Sequence, residues 1–265
     1  MTRLALIGGG RMGEALLGGL IAAQWADPAD LCVVEQVDER RAVLEDRFEK
    51  VSVVAEIGAV SDAEGAVIAV KPNDVEAVCR ELGAAGVGRV LSIAAGVTLE
   101  RLEGALPAGT PVVRAMPNTP ALVGAGAAAI AGGAAATAAD LDWAESILGS
   151  VGVVYRVDES MLDAVTGLSG SGPAYVFLVA EALIEAGVQV GLSAEVSNGL
   201  AIQTILGSAR MLAETGEVPA ALRAAVTSPG GTTEAGLRVL EEAVRAAFLE
   251  AVAAATERSR ELGRG

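Results

Sequence analysis

The 265-residue chain contains no histidine, only two cysteines and only two lysines, Lys50 and Lys71. Without histidine, both the commonest zinc ligand and the commonest general acid or base are missing, so a triad built on a His base is excluded and metal catalysis is not expected. Cys32 and Cys79 fit neither metal-ligand nor disulfide spacing, and a reducing, cytoplasmic setting is the simpler expectation. Aromatic residues make up 3% of the chain, while alanine fills 53 positions and glycine 33, so any core must be packed closely from Ala, Val and Leu. Positive charge is also scarce. Lys and Arg total 19 against 34 Asp and Glu, and the resulting charge of −15 argues against a nucleic-acid partner. The mean hydropathy of +0.49 is far too high for a disordered chain, and the length suits one large domain or two modest ones.

Two stretches bear on membranes and export. The opening MTRLALIGGG breaks into glycines too early for a signal peptide. Residues 115–139 carry no charge and are long enough to span a bilayer, but Pro117, Asn118, Pro120 and a dense run of Gly and Ala supply little transfer energy. The expectation is buried soluble structure with no membrane partner.

Up to residue 157, short apolar runs alternate with helical patterns. Strands are expected at 4–7, 31–35, 66–70, 90–93, 112–115, 126–130 and 151–155, with amphipathic stretches at 11–24, 39–49 and 75–82. This alternation reads as an α/β, Rossmann-type doubly wound sheet, mostly parallel. Beyond Asp158 the strand signal stops. Helices are expected at 160–165, 173–190, 195–214, 232–242 and 244–262, with a shorter turn near 220–226. The expected organisation is therefore an α/β domain over 1–157 and an all-α domain over 158–265. The run AYVFLVAEALIEAGVQVGL is apolar on more than one face, which a small helical domain accommodates either at its own centre or against a second subunit; the reading favours dimerisation.

Directly after the first strand comes Gly8-Gly9-Gly10-Arg11-Met12-Gly13, a G-x-G-x-x-G pattern leading into a helix. Gly8 suits the tight turn, Gly10 lets a pyrophosphate approach the backbone, and Gly13 permits close helix–strand packing. The helix N-terminus then offers free N–H groups to phosphate. Without a ligand, the same residues are simply a glycine-rich βα turn. The second strand ends at Glu35, where an acidic residue takes the ribose hydroxyls of NAD and repels a 2′-phosphate. Arg40 and Arg41 follow and are placed to reach such a phosphate, or to pair with Glu35, which is otherwise solvated. The reading leans to NADH and leaves NADPH open.

Strand ends in such a sheet face the cofactor. Val70-Lys71-Pro72-Asn73 puts a lysine at one of them, either on cofactor ribose or phosphate or in solvent. Ala94-Ala95-Gly96 is small enough for a nicotinamide ring to lie on backbone, and Met116-Pro117-Asn118-Thr119-Pro120 is stiff. In the helical half, Thr227-Ser228-Pro229-Gly230-Gly231-Thr232-Thr233 precedes a helix, a natural carboxylate cradle that would otherwise be an ordinary capped turn. Thr166–Tyr175, TGLSGSGPAY, opens the long apolar helix and demands close backbone packing.

Taken together, IGGGRMGEALL, AVKPNDV, SIAAGV, RAMPNTPALVGAGA, DAVTGLSGSGPAYVF and VTSPGGTTEAGL resemble the pyrroline-5-carboxylate reductase family, in order and over essentially the whole chain. The glycine turn is generic; RAMPNTP and the last two segments are specific to that family. The resemblance implies reduction of the cyclic imine 1-pyrroline-5-carboxylate to L-proline with NADPH or NADH and no metal, as the last step of proline biosynthesis. It also implies a helical dimerisation domain, with dimers assembling further into rings. By the same resemblance Thr233 hydrogen-bonds the ring nitrogen, and Ser228, Gly230, Gly231 and Thr232 take the carboxylate. Gly8, Gly10, Arg11, Met12, Gly13, Glu35, Val70, Lys71, Pro72, Ala95, Pro117 and Asn118 border the cofactor. Ahead of the last motif, the usual His and Asp are replaced by Val218 and Ala224.

A cyclic imine protonated by solvent is already a good hydride acceptor, so orientation supplies much of the acceleration and no histidine is needed. Two other readings compete. A related imine or β-hydroxyacid reductase would share the architecture, but the hydroxyacid enzymes want a lysine in the helical half, and both lysines lie outside it. A non-catalytic sensor of dinucleotide or proline would keep Gly8–Gly13 without needing Thr232 and Thr233.

Overall fold

In the computed structural model, which describes residues 2–61 and 63–264, the first strand sets the frame. All four side chains of β1 (Leu4–Ile7) are buried because they alternate between two apolar layers. Leu4 and Leu6 face one core, and Ala5 and Ile7 face the other. The chain continues through α1 (Arg11–Ala22), β2 (Leu31–Val34), α2 (Asp38–Arg47), β3 (Ser52–Val54), β4 (Ala66–Ile68), α3 (Val75–Ala85), β5 (Val90–Ser92) and α4 (Leu99–Ala105). It then forms β6 (Val112–Met116), β7 (Gly126–Gly132), α5 (Ala138–Leu148) and β8 (Gly152–Arg156). The eight strands lie in the order β3-β2-β1-β4-β5-β6-β7-β8, with Leu4 opposite Leu31 and Ala5 opposite Ala66. Every pairing is parallel except β6 with β7, so the sheet is the doubly wound, mostly parallel one expected. Helices cover both faces. Val75, Cys79, Leu82 and Leu102 of α3 and α4 fill one layer, while Leu16, Leu20, Leu44 and Ile147 of α1, α2 and α5 fill the other. Burial pushes the Cys79 thiol up to about 11, which leaves it an inert packing group.

The element limits differ from expectation in informative places. β3 has no counterpart in the sequence reading: it is three residues at the sheet edge, Ser52 exposed and Val53 and Val54 half-buried, and its apolar run is too short to stand out. β2 stops at Val34 and β4 at Ile68, so Glu35 and Val70 lie just beyond the strand ends, where the chain turns. The stretch 115–139 runs from the end of β6 through a short 3₁₀ segment at Thr119–Val123 and through β7 to the start of α5; its β7 residues are mostly buried as expected, but Leu122 and Val123 are exposed.

After β8 come α6 (Leu162–Val165), a π turn over Thr166–Gly170, α7 (Gly172–Gln189), α8 (Ala194–Glu214), α9 (Pro219–Ala225) and α10 (Thr232–Arg264). The two helices expected at 232–242 and 244–262 are one. Nothing at the Glu242-Ala243-Val244 junction breaks a helix, so 33 residues run on for about 50 Å. Contacts divide the chain into Met1–Ser171 with Ala254–Gly265, and Gly172–Ala253. Residues 158–171 thus pack with the sheet, beyond the division expected after 157, and the reasons are visible. Leu162 is fully buried in one of the sheet's cores, and Ser259 Oγ donates to Asp163 Oδ1 at 2.7 Å. Buried Arg114 of β6 pairs with Glu159 at 2.8 Å, and the same carboxylate oxygen accepts the Leu99 N–H at 2.7 Å.

The second unit has very little interior. Among its described residues only Ser197 and Ala201 are buried, while Phe177, Leu178, Leu200, Leu240 and Leu249 are exposed. By length and composition alone, the helical run Glu159–Gln189 is apolar enough to cross a membrane.

Asn118 staples the connection between β6 and β7. Its amide nitrogen donates to Ser169 O at 3.0 Å and its amide oxygen accepts the Ala127 N–H at 2.8 Å. Asn118→Ala should therefore destabilise the protein by about 1–3 kcal/mol, since it orphans one donor and one acceptor. Asn118→Asp keeps the acceptor for Ala127 but sets a carboxylate oxygen against the Ser169 carbonyl, so it too should fall below the wild type. Thermal unfolding of the three proteins checks this order; equal melting temperatures would contradict the staple.

Candidate functional site

The turn after β1 is shaped by close contacts. Gly8 adopts φ +106°, and a Cβ there would lie 2.7 Å from Ala69 O. A Cβ on Gly13 would lie 2.1 Å from Gly8 O, so α1 can approach the turn only with glycine at this position. Around Gly10 there is open space. No side chain caps α1, and its first main-chain bond runs from Glu14 N to Gly10 O. The amides of Gly10, Arg11, Met12 and Gly13 consequently have no acceptor among the described residues. Four adjacent free donors at the positive end of a helix, beside an uncluttered glycine, fit a pyrophosphate.

Side chains lash this turn in place. Glu35 Oε2 accepts the Gly9 N–H at 2.9 Å, and Oε1 accepts the Val37 N–H at 3.0 Å. Arg40 Nε donates to Gly9 O at 2.6 Å, and its guanidinium pairs with Glu14, which also pairs with Arg47. Burial raises the Glu14 carboxyl, but these two arginines outweigh it and hold the group below the usual carboxylate range. Glu35 is paired with neither Arg40 nor Arg41 through its carboxylate. Arg41 pairs with Asp38 and donates to the Glu35 and Gln36 carbonyls at 2.7 and 2.9 Å.

Two cavities open beside the strand ends. One, of about 640 Å³, is lined by Gly8, Gly10, Glu35, Val70 and Lys71 among others. The second, of about 840 Å³, is lined by Lys71, Pro72, Ala95, Gly96 and Thr166. Lys71 belongs to both, and no carboxylate among the described residues lies within ion-pair distance of it. Arg11 instead lines a groove with Glu14 and Arg47, Met12 packs into the core under the turn, and Gly13 is buried. Pro117 and Asn118 line neither cavity, and the Asn118 side chain is occupied by its staple. Arg258 and Leu262, near the chain's end, line the second cavity with Lys71. No motif or spacing in the sequence marks them, since they come together only because the last turns of α10 pack with the sheet unit.

The cradle in the helical unit is built differently. Gly230 has φ +72°, and a Cβ on Gly231 would lie 2.6 Å from Ser228 Oγ. The first main-chain bond of α10 runs from Ala235 N to Gly231 O, so the amides of Thr232, Thr233 and Glu234 have no acceptor among the described residues. The Gly230 N–H is taken by Glu234 at 2.7 Å. Ser228 and Thr232 are exposed and Thr233 is half-buried. Upstream, Val218 precedes α9 with extended backbone and no side-chain cap, and Ala224 lines a surface groove with Arg223 and Glu241, which pair at 2.9 Å. Among the described residues, no group of three or more Cys, Asp or Glu is placed to hold a metal ion.

Comparison with known proteins agrees with this construction. Residues 159–262 match the family model for pyrroline-5-carboxylate reductase dimerisation, and residues 3–96 match that for NADP oxidoreductase, coenzyme F420-dependent. The chain is 47% identical to pyrroline-5-carboxylate reductase of Mycobacterium leprae, over 99% of this chain and 97% of that one. The solved pyrroline-5-carboxylate reductase of Coxiella burnetii superposes with a TM-score of 0.93 at 39% identity, covering 98% of both chains. That of Plasmodium falciparum, solved with NADP bound, gives 0.85 at 30% identity over 99% of this chain and 98% of its own. Motifs, topology and full-length similarity agree, and the chain belongs to the pyrroline-5-carboxylate reductase family.

Proposed function

We propose that this chain reduces the cyclic imine 1-pyrroline-5-carboxylate to L-proline with NADH or NADPH, the last step of proline biosynthesis, and does so in the cytoplasm. The observation that carries the reading is the pair of separate anion cradles. Four open amides at Gly10–Gly13 suit a dinucleotide pyrophosphate, and three open amides at Thr232–Glu234, with two threonine hydroxyls, suit one carboxylate. Such a reductase needs one of each.

When bound, the dihydronicotinamide supplies a hydride. Gly8, Gly10, Arg11, Met12, Gly13 and Glu35 would hold the adenosine and pyrophosphate end. Val70, Lys71, Pro72, Ala95, Pro117 and Asn118 would border the rest. In the helical domain, taken as 158–265, Ser228, Gly230, Gly231 and Thr232 would fix the carboxylate, while the Thr233 hydroxyl oxygen accepts from the protonated ring nitrogen. An ordinary alcohol is a poor proton donor, so Thr233 orients the imine, which arrives already protonated from solvent. Holding the ring at nitrogen and carboxylate leaves one carbon presented in one orientation, and that is the work this chain must do.

The helical residues also form the subunit interface in this reading. A unit that buries only Ser197 and Ala201 leaves its apolar helix faces to be covered, and a second copy of the same helices covers them without any membrane. A homodimer is the minimum, and a ring of dimers is the larger assembly that fits.

Purified protein should consume NADH or NADPH with 1-pyrroline-5-carboxylate and form proline, at a mass by light scattering of two chains or a multiple of two. Folded protein that binds dinucleotide without turnover would overturn the catalytic reading, and an active monomer would overturn the interface. Thr233→Ala should lower kcat/KM by roughly 10–100-fold, the loss of one charge-assisted hydrogen bond, with the pH profile unchanged in shape. A shifted profile would instead make Thr233 a proton relay.

A further inference from the structure

We infer that the cofactor site takes NADH in preference to NADPH, with Glu35 as the specificity-determining residue; the inference rests on the cofactor reading above. The NADP-type solution places a free guanidinium where the 2′-phosphate lies. Here the two arginines that follow β2 are already committed. Arg40 is held by Glu14 and the Gly9 carbonyl, and Arg41 by Asp38 and the carbonyls of Glu35 and Gln36. Neither lines the 640 Å³ cavity that opens from Gly8 and Gly10.

The charged residues that do line it are mostly acidic. Glu35, Glu56, Asp74 and Glu81 put four carboxylates on its wall against one cation, Lys71, which also serves the second cavity. Glu35 is the most constrained of these, because each of its oxygens accepts a backbone N–H, from Gly9 and from Val37. It therefore cannot swing away from an incoming phosphate without releasing the turn. Each oxygen keeps a second lone pair, enough to accept the two hydroxyls of an unphosphorylated ribose. A 2′-phosphate would bring up to two further negative charges to a fixed carboxylate.

The test is direct binding by isothermal titration calorimetry, using NADH, NADPH, AMP and 2′,5′-ADP with the purified oligomer. NADH should bind roughly tenfold or more tightly than NADPH, and AMP more tightly than 2′,5′-ADP. The NADPH deficit should shrink as salt is raised, because the repulsion is screened. Glu35→Gln, whose amide oxygen still accepts one backbone N–H, should bring the NADH-to-NADPH ratio toward one chiefly by tightening NADPH. Should that variant fail to fold, Glu56→Gln is expected to move the ratio the same way by a smaller factor. Equal or tighter binding of NADPH by the wild type would overturn the preference. Equal weakening of both dinucleotides in Glu35→Gln would reduce Glu35 to a brace for the glycine turn and also overturn its assignment. Failure of the wild type to bind either dinucleotide would overturn the cofactor site itself, and the preference with it.

Discussion

The first unit depends on one close approach, that of α1 to the turn before it, which leaves no room for any side chain at residue 13. With a Cβ only 2.1 Å from the Gly8 carbonyl, even alanine would push the helix off the sheet. That contact aims the helix axis at the strand ends and leaves four amides facing open space at Gly10. The neighbouring charges serve it. Glu35 and Arg40 grip the two sides of Gly9, one by its N–H and the other by its carbonyl, while Glu14, itself paired with Arg47, holds Arg40 in position. Arg40 and Arg41 are thus committed to carbonyls of the turn, and main-chain amides at the positive end of a helix are left open beside it.

The second unit obeys a different constraint. Its helices are rich in Ala, Leu and Val but bury almost nothing within the chain. Hydrophobic burial is the main term opposing chain entropy, so these residues cannot be ordered by their own contacts alone. The scarcity of aromatics fits this arrangement, since Ala-rich helix faces allow close helix–helix approach, and an aromatic pair, Tyr175 with Phe248 edge-on at 6.3 Å, ties α7 to α10.

What the sequence revealed and what it hid follow from the range of the interactions involved. Residues in local order were legible: the β1 run, the glycine turn, the proline-stiffened loop and the Ser228–Thr233 cradle are each set by neighbours a few positions apart. Features that depend on distant partners were not. β3 is only three residues long, too short for its valines to stand out, and it exists because β2 offers it an edge. The continuity of α10 was hidden because charged pairs at 241–245 resemble a solvated turn as much as a helix face. Glu35 was read correctly as a strand-end acid, but its grip on Gly9 and Val37 depends on where the turn folds. Asn118, read as a cofactor neighbour, has a side chain spent on Ser169 and Ala127, two contacts 51 and 9 residues away.

The central claim is that this chain carries a hydride from a dihydronicotinamide to a cyclic imine. The most direct test is to supply 1-pyrroline-5-carboxylate with NADH deuterated on one face of nicotinamide C4 and, separately, on the other, and to weigh the proline by mass spectrometry. The account predicts one deuterium in proline from one of the two labelled cofactors and none from the other, because a positioned ring exposes a single face. Proline without deuterium from both would contradict it.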